Sequence, residues 1–581
     1  MHSIKSESAP AWRFAVLALA ALASSCGPTQ AREQPIPITS ASASAGPEPP
    51  AKPVTTVDLL HQYVEGRPEM CRWLGMHDRC DGRVASYSAE GIAARVRALE
   101  GIRSSLVADV PATADVALDR KLLDLTCQEE IFRLTELREW QRRPKFYEEL
   151  FGLDAYLLRD YAPLDERVRA LVKHIEAAKL ELPNIRKNLT SPIPKAFVET
   201  DSKVFKGYGE YLRGDVLTLL AAVSDSALRE RAIGLAKDLA DEADALGKWL
   251  DGELARADDS HVLGKDRYVK LLAVQEALET PIDTLYAMAQ TDLAKNKRAY
   301  EELIAKGIKP TRPKATELLT TAQKLVDTSK EFIVSKRIVT IPDGGQYSVK
   351  ESPPYMRWNA AFLNSPGPFD DVRLPAFYYI TLPNPSWSKK EQEEYIMPRG
   401  TLLATTVHEV FPGHFLQSLW TRKATSRVEQ ALQSYSFVEG WAHYTEQMMV
   451  EEGFGAESPE TRLGQLSDAL LRNCRFVASI GLHVKGMTVD EAALLFINEC
   501  KQDKATAREQ AVRGTFDPGY FAYTLGKLQI LELREEVRRA LGAKFELGKF
   551  HDALLAHGGP PVPILRPLVL KDLGLDPTKT Y

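Results

Sequence analysis

The sequence lacks several features that would assign a chain quickly to a class of protein. Its 74 lysines and arginines do not exceed its 79 aspartates and glutamates, and the formal net charge is −5. A basic excess would suggest a nucleic-acid partner, so we expect none here. The six cysteines include no C-x-x-C pair, which argues against a zinc site built from thiolates. No fixed-period repeat is visible, which disfavours a solenoid.

Long apolar runs are also missing from the sequence after the N-terminal segment. No stretch there reaches the roughly 18 apolar residues expected of a membrane-spanning helix. At the N-terminus, Lys5 and Arg13 precede a short apolar run over residues 14–23, which has the length of a signal-peptide core. Small residues then lead to Cys26, a pattern that resembles a bacterial lipoprotein signal. We therefore expect residues 1–25 to be a signal peptide and Cys26 to be lipidated, with simple secretion as the alternative.

Residues 26–55 are rich in Pro, Ser, Ala and Gly and contain no aromatic residue. Such a composition cannot bury enough apolar surface to become ordered, so this stretch is predicted to be a disordered tether. By resemblance to bacterial sorting rules, Gly27 after the cysteine favours the outer membrane. We expect a lipid-anchored protein of the cell envelope that faces the periplasm or the surface.

Five cysteines remain when Cys26 is set aside, and an odd number leaves at least one unpaired. In an oxidising compartment Cys71 and Cys80 could close a short loop, and Cys474 and Cys500 could join neighbouring helices. Spacing alone does not decide either pairing.

The remaining chain reads as mainly α-helical. Residues 56–335 place apolar residues at intervals of three and four, which predicts a helical region. Residues 336–387 hold β-branched and aromatic runs bounded by Gly, Pro and Asn, which predict a small sheet, and helices resume to residue 581. "AFYYITL" is followed by Pro383 and Pro385, so we predict an edge strand that could pair with an extended substrate. We expect one continuous body over about residues 56–575.

The stretch "TTVHEVFPGHFLQ" carries the first candidate chemistry. In the common zinc-peptidase motif H-E-x-x-H, the second histidine would stand where Pro412 stands here. His408 and His414 are six residues apart, about 240° around a straight helix, and cannot share one ion there. Pro412 must kink or bulge the helix, and Gly413 accepts backbone angles closed to other residues. We therefore predict a distorted metal site, with Glu409 beside it.

A third ligand is expected on a following helix, and "SYSFVEGWAHYTEQMMVEEG" supplies one. Glu439, His443 and Glu446 fall on one face of a helix in an otherwise apolar segment. Glu439 is assigned as the metal ligand. His443 and Glu446 are expected to hold the ligands in place, or to be alternative ligands.

The words "HEVFPGH" and "EGWAHYTE" resemble the bacterial DUF885 family, whose members carry HExxPGH and EGWAxYxE and are regarded as zinc-dependent peptidases. The resemblance extends over about residues 60–570, through "LGMHDRCDGRVASYSAEG", "LRNCRFVASIGLHVKGMTVDEAALLF" and "DPGYFAYTLGKLQILELREE". It implies a helical body with a deep cleft, similar to thimet oligopeptidase, neurolysin and the related carboxypeptidases.

The resemblance also implies roles for single residues. His408, His414 and Glu439 would hold one zinc ion per chain, and Glu409 would be the catalytic base. Tyr523 is the first candidate for a donor to the oxyanion, with Tyr520 in reserve. His483 in "GLHVKGM" is a further candidate donor. Ser479 stands where relatives often have an aspartate, which leaves that acid's role in doubt here.

Three functional hypotheses follow from these residues. The first is a membrane-tethered zinc metallopeptidase that hydrolyses short or unfolded peptides. The second is a surface lipoprotein that binds peptides or partners and keeps a vestigial metal site. The third keeps the metal but hydrolyses a non-peptide amide. Two histidines and a glutamate suit zinc best, although manganese, cobalt and iron remain alternatives.

Overall fold

The computed structural model describes residues 54–107, 114–353, 356–357 and 359–581. The expected signal peptide, the lipidated Cys26 and nearly all of the tether lie outside these residues. No helix in the described ranges is long and apolar enough to cross a membrane.

The N-terminal half is helical, as predicted. Its helices are Thr56–Glu65 (α1), Pro68–Trp73 (α2), His77–Cys80 (α3), Ala89–Leu106 (α4), Ala114–Thr135 (α5), Glu139–Arg142 (α6), Asp154–Leu157 (α7), Leu164–Asn188 (α8), Lys195–Tyr211 (α9), Leu217–Leu220 (α10), Ser226–Glu253 (α11), Lys265–Glu276 (α12), Ile282–Ala305 (α13) and Leu318–Lys336 (α14).

The C-terminal half contains the sheet and a second set of helices. The strands are Gln346–Glu351 (β1), Ala361–Asn364 (β2) and Pro375–Ile380 (β3). The helices are Lys389–Tyr395 (α15), Arg399–Glu409 (α16), His414–Thr421 (α17), Arg427–Ala431 (α18), Tyr435–Glu451 (α19), Pro459–Val484 (α20), Val489–Asn498 (α21), Lys504–Phe516 (α22), Ala522–Leu541 (α23), Leu547–Leu555 (α24) and Val562–Asp572 (α25). The prediction of a mainly helical protein with a small sheet is confirmed. The deep cleft and the likeness to thimet oligopeptidase stay predictions.

The sheet corrects one expectation from the sequence. Its strand order is β1-β3-β2, with β3 parallel to β1 and antiparallel to β2. The strand in "AFYYITL" is therefore central and not at an edge. The prediction was wrong because β3 ends at Ile380, before Pro383 and Pro385, so neither proline removes a donor from the ladder.

Three of the hydrophobic cores draw on both halves of the chain, and two of these surround the C-terminal helices described below. One joins residues of α14, such as Val326, to the sheet and to α16, α17, α19 and α23–α25. Another joins α12 and α13 to α20, α22 and α23. The change at residues 335–336 is therefore one of local sequence character, and packing continues across it.

Helix α19 is anchored at its first turn by polar contacts. Ser434 caps the helix by accepting a hydrogen bond of 2.9 Å from the Phe437 N–H. The buried carboxyl group of Glu276, at the end of α12, accepts hydrogen bonds from the backbone N–H and the hydroxyl of Ser436. These contacts fix the start of the helix that carries Glu439.

Both disulfides that the cysteine spacing left open are present. Cys71 pairs with Cys80 and Cys474 pairs with Cys500, with Cα–Cα distances of 5.9 and 6.2 Å. Cys127 is buried and unpaired. The second bridge joins helix α20 to the residues just after α21, whereas the spacing suggested that it could join two neighbouring helices.

Candidate metal centre

The two histidines meet where one helix ends and the next begins. His408 lies in the last turn of α16, and His414 is the first residue of α17. Their rings contact each other edge to face, with centroids 4.7 Å apart. The distortion predicted at Pro412 is therefore a complete break between two helices, which places two imidazoles six residues apart side by side.

Gly413 is needed at this break because the backbone approaches itself closely. Its N–H donates to the Val407 carbonyl at 3.0 Å, and a Cβ at this position would overlap the His408 carbonyl oxygen. At its φ of −72° the ψ of Gly413 is −133°, which lies outside the regions that other residues adopt, so the expectation that the glycine takes unusual backbone angles is confirmed. The Trp441 indole N–H donates to the Pro412 carbonyl at 2.9 Å and ties the break to α19.

Glu439 of α19 completes the cluster. Its Oε2 lies 3.4 Å from His408 Nε2 and 3.6 Å from His414 Nε2. The candidate ligand atoms of the three residues all lie within 4.8 Å of one another. The structure thus brings together the three side chains that the sequence predicted as ligands.

The glycine of "EGWA" lets α19 reach this position. A Cβ on Gly440 would lie 2.5 Å from the Cα of Gly526 on α23, a distance that real Cβ atoms do not show. The two helices therefore cross with backbone against backbone. Glu439 and Tyr523 flank this crossing, so its closeness sets the separation of the two side chains.

The donor set fits a zinc ion. Two imidazoles and one carboxylate are ligands typical of hydrolytic zinc, which keeps a further position open for water. Burial by itself would raise the pKa of Glu439, but the neighbouring His408 and His414 imidazoles hold it well below its usual value. The Oε2 atom has no hydrogen-bond partner of good geometry within the described residues, although it is buried. A buried anionic oxygen between two imidazoles suits a bound cation.

A buried carboxylate holds His408 from behind. Glu446 Oε1 accepts a hydrogen bond of 2.7 Å from His408 Nδ1, which leaves Nε2 facing Glu439 and His414. The same carboxylate contacts His443 Nδ1 at 3.1 Å and Arg472 at 3.1 Å. Burial would raise the pKa of Glu446, but Arg472 above all holds it well below its usual range. Glu446 and His443 therefore lie behind the cluster, as the first of the two predicted alternatives had it.

Glu409 lies next to His408 in sequence and beside the sheet in space. Its Oε2 accepts a hydrogen bond of 2.9 Å from the backbone N–H of Leu363 in β2. Leu363 is paired with Tyr378 of β3, so this N–H points from the other edge of β2 toward Glu409. An edge strand does therefore border the site, but it is β2, whose short sequence "AFLN" carries no edge signal of its own.

Tyr523 is the predicted donor that lies nearest the cluster. Its ring stacks on His408 at 6.5 Å between centroids and contacts the Tyr435 ring at 5.9 Å. Burial raises the pKa of Tyr523, and Glu439 raises it further, so the hydroxyl keeps its proton at neutral pH. A protonated phenol can donate a hydrogen bond to a developing negative charge.

The structure does not bring His483 to the cluster. Its Nε2 donates to the Gly514 carbonyl at 2.8 Å, and its Nδ1 accepts from the Leu263 N–H at 3.4 Å. It lies eleven residues beyond Arg472 on α20, about 16 Å along the helix. Both ring nitrogens are used in hydrogen bonds to the backbone, away from the cluster. The expectation that His483 is a catalytic donor is therefore corrected.

Tyr520 and Ser479 also belong to the interior. Tyr520 packs in the core around α20, beside Gly514. The Ser479 hydroxyl donates to the Pro518 carbonyl at 2.6 Å and contacts the Tyr268 hydroxyl at 2.7 Å. Neither residue takes part in the contacts of the three candidate ligands described above.

Two arginines beside the cluster were not singled out from the sequence. The guanidinium carbon of Arg472 lies 5.5 Å from the centre of the Tyr523 ring, and that of Arg475 lies 4.9 Å from it. Their spacing of three residues, within a helix whose neighbours are apolar, was the available signal.

Comparisons with known proteins agree with this architecture. The sequence model of the family described as "Bacterial protein of unknown function (DUF885)" matches residues 68–569. A solved structure from Shewanella oneidensis, described as a lipoprotein of unknown function, has a TM-score of 0.73 at 22% identity and covers 89% of this chain and 100% of its own. A lipoprotein structure from Colwellia psychrerythraea has a TM-score of 0.74 at 18% identity, with coverages of 90% and 100%. No curated protein sequence matches this chain.

Proposed function

This chain belongs to the bacterial DUF885 family, and we propose that it is a zinc-dependent metallopeptidase of the cell envelope that hydrolyses short or unfolded peptides. The observation that carries the proposal is the convergence of His408, His414 and Glu439 at the break between α16 and α17, with their donor atoms within 4.8 Å of one another. Glu409 follows His408 directly, so a carboxylate outside the ligand set stands at the same place.

Each protein group has a defined task in this reaction. Zinc, held by His408, His414 and Glu439, would polarise the peptide carbonyl and lower the pKa of a water molecule. Glu409 accepts a proton from the attacking water and passes it to the departing amine. The Leu363 N–H fixes the Glu409 carboxylate during these transfers.

Tyr523 stabilises the charge that develops on the substrate oxygen. Its protonated hydroxyl is held on a ring packed against His408 and flanked by two arginines. Because the ring is fixed before the substrate arrives, little reorganisation is needed when the oxyanion forms.

An extended substrate can run along β2. The N–H of Leu363 on the outer edge of this strand points to Glu409, so a chain paired with this edge would pass the catalytic base. A folded protein could not present a strand in this way if helices wall the site, which limits substrates to short or unfolded peptides.

The N-terminal sequence and the structural relatives support a proposal for the cellular location. Both solved relatives are described as lipoproteins, and Cys26 follows the small residues of a lipoprotein signal. We infer a lipid anchor at Cys26 and a place in the outer membrane, with the tether carrying the body toward its substrates.

The decisive experiment compares the wild-type protein with the Glu409→Gln variant. We expect one zinc ion per chain in both proteins. Only the wild type should hydrolyse peptides, and a chelator should stop that hydrolysis. Glu451→Gln, on the same helix as Glu439 but paired with Arg534 at an exposed position, is the matched control and should keep full activity. Full turnover by Glu409→Gln would remove the proposed base.

The same measurements distinguish the alternatives. A protein that binds no metal and cleaves nothing would instead be a peptide- or partner-binding lipoprotein with a vestigial site. A protein that binds zinc and cleaves only non-peptide amides would keep the chemistry and lose the peptide substrate.

A further inference from the structure

Arg472 and Arg475 lie over the Tyr523 ring, and Arg513 lies over the neighbouring Tyr520 ring. One of these three arginines has no acidic partner. Arg472 is paired with Glu446 at 3.1 Å, and Arg513 is paired with Asp517 at 2.8 Å. For Arg475, no carboxylate oxygen of the described residues lies within 4 Å of its guanidinium, and its Nε donates to the amide oxygen of Gln510 at 2.9 Å.

Burial makes this arrangement costly for the free protein. Only 8% of Arg475 is exposed, and a buried charge without a counter-charge loses hydration that one neutral hydrogen bond does not replace. Burial lowers the pKa of Arg475 to about 10, and the neighbouring Arg513 adds to the shift. The guanidinium is therefore still cationic at neutral pH, and a bound anion would offset the cost of burying this charge.

Arg475 is also within reach of the proposed reaction. Its guanidinium carbon lies 4.9 Å from the centre of the Tyr523 ring, which lies 6.5 Å from the centre of the His408 ring. The two distances limit the separation of Arg475 and His408 to at most 11.4 Å. An extended peptide advances about 3.5 Å per residue, so this separation corresponds to about three residues at most.

We propose that Arg475 is a binding residue for a substrate carboxylate, presented by the chain terminus or by an acidic side chain within about three residues of the cleaved bond. The planar guanidinium matches a carboxylate with two parallel hydrogen bonds. If the terminus supplies the carboxylate, the enzyme releases fragments of one to about three residues from the C-terminal end. This assignment rests on the proposed peptidase function and specifies its substrate class.

The test uses matched peptides with the zinc-loaded, full-length protein. In the first pair, one peptide ends in a free C-terminal carboxylate and the other in an amide. In the second pair both peptides are amidated, and one has Glu and the other Gln beside the cleaved bond. In the wild type we expect kcat/KM to favour one acidic member by about tenfold to a hundredfold, as for one charged hydrogen-bonded pair. The preferred pair identifies the source of the carboxylate, and mass spectrometry of the fragments locates the cleaved bond.

Three variants assign the preference to the guanidinium. Arg475→Gln should bring the preferred ratio close to one, and Arg475→Lys should restore part of it, since the charge returns without the planar fork. Arg462→Gln, on the same helix but about 20 Å from Arg475 along its axis, should keep the wild-type ratio. Binding of both peptide pairs to the Glu409→Gln variant should show the same preference without turnover.

The outcomes separate this inference from the peptidase proposal. Chelator-sensitive cleavage with neither preference, or with a preference that survives Arg475→Gln, overturns the role of Arg475 and leaves the peptidase intact. If Arg475→Gln does not fold, the wild-type ratios and Arg475→Lys still decide. Absence of any chelator-sensitive cleavage refutes the peptidase proposal, and the assignment of Arg475 with it.

Discussion

Replacing Gly440 by alanine tests whether the crossing of α19 and α23 builds the site. A Cβ on Gly440 would lie 2.5 Å from the Gly526 Cα and 2.9 Å from the Lys527 backbone nitrogen. Ordinary contact begins near 3.4 Å, so the helices must separate by about 0.9 Å, and both obstacles are backbone atoms that cannot rotate away.

The expected loss of stability is about 2 kcal/mol. Overpacking a tight contact costs up to about 3 kcal/mol. The gain in helix propensity from glycine to alanine offsets about 1 kcal/mol of this cost. Moving Glu439 and Tyr523 apart by about 1 Å should also lower kcat/KM by about a hundredfold.

Chemical denaturation and peptide hydrolysis measure these two effects, with Gly234→Ala as the matched control. Gly234 is an exposed position of α11 where an added Cβ meets nothing within 4 Å, so this variant should gain up to about 1 kcal/mol and keep full activity. A Gly440→Ala variant as stable and as active as the wild type would refute the claim that this crossing positions the site.

Two further predictions concern buried carboxylates. Glu446→Gln should weaken zinc binding by about tenfold to a hundredfold, measured by competition with a chelator, because His408 loses its anionic partner; unchanged affinity would contradict this role. Burial raises the pKa of Glu276 from 4.5 to about 8, so the folded state holds a proton that the unfolded state releases, and the group's contribution to stability is full below about pH 4.5 and is lost as the pH rises toward 8. The free energy of unfolding should fall across this window by up to about 1.4 kcal/mol per pH unit from this group, a slope that Glu276→Gln should lack in denaturation measured at several pH values.

Much of the site could be predicted because its residues lie in short, chemically distinctive sequence motifs. A metal site is indicated by the residue types of His408, Glu409 and His414. The proline–glycine pair between the histidines predicts that the helix cannot continue. Glu439 follows from a polar face in an apolar helix. These inferences need only local stereochemistry and the known preferences of zinc.

Other parts depended on contacts that local sequence does not encode. His483 resembled a donor in sequence, but its ring nitrogens are used by the Gly514 carbonyl and the Leu263 N–H. The prolines after "AFYYITL" suggested an edge, yet β3 ends before them and lies between two partners. Both errors came from residues whose partners are remote along the chain.

The sequence by itself determined the residue types of the candidate ligands, the break in the helix and the alternation of helices with a small sheet, because these depend on side-chain chemistry and on backbone geometry over a few residues. Only the tertiary structure decided which carboxylate supports His408, which strand borders Glu409 and which arginine lacks an acidic partner. Each of these depends on helices and strands distant in sequence that pack at ångström separations, and packing of that kind is fixed by the whole core.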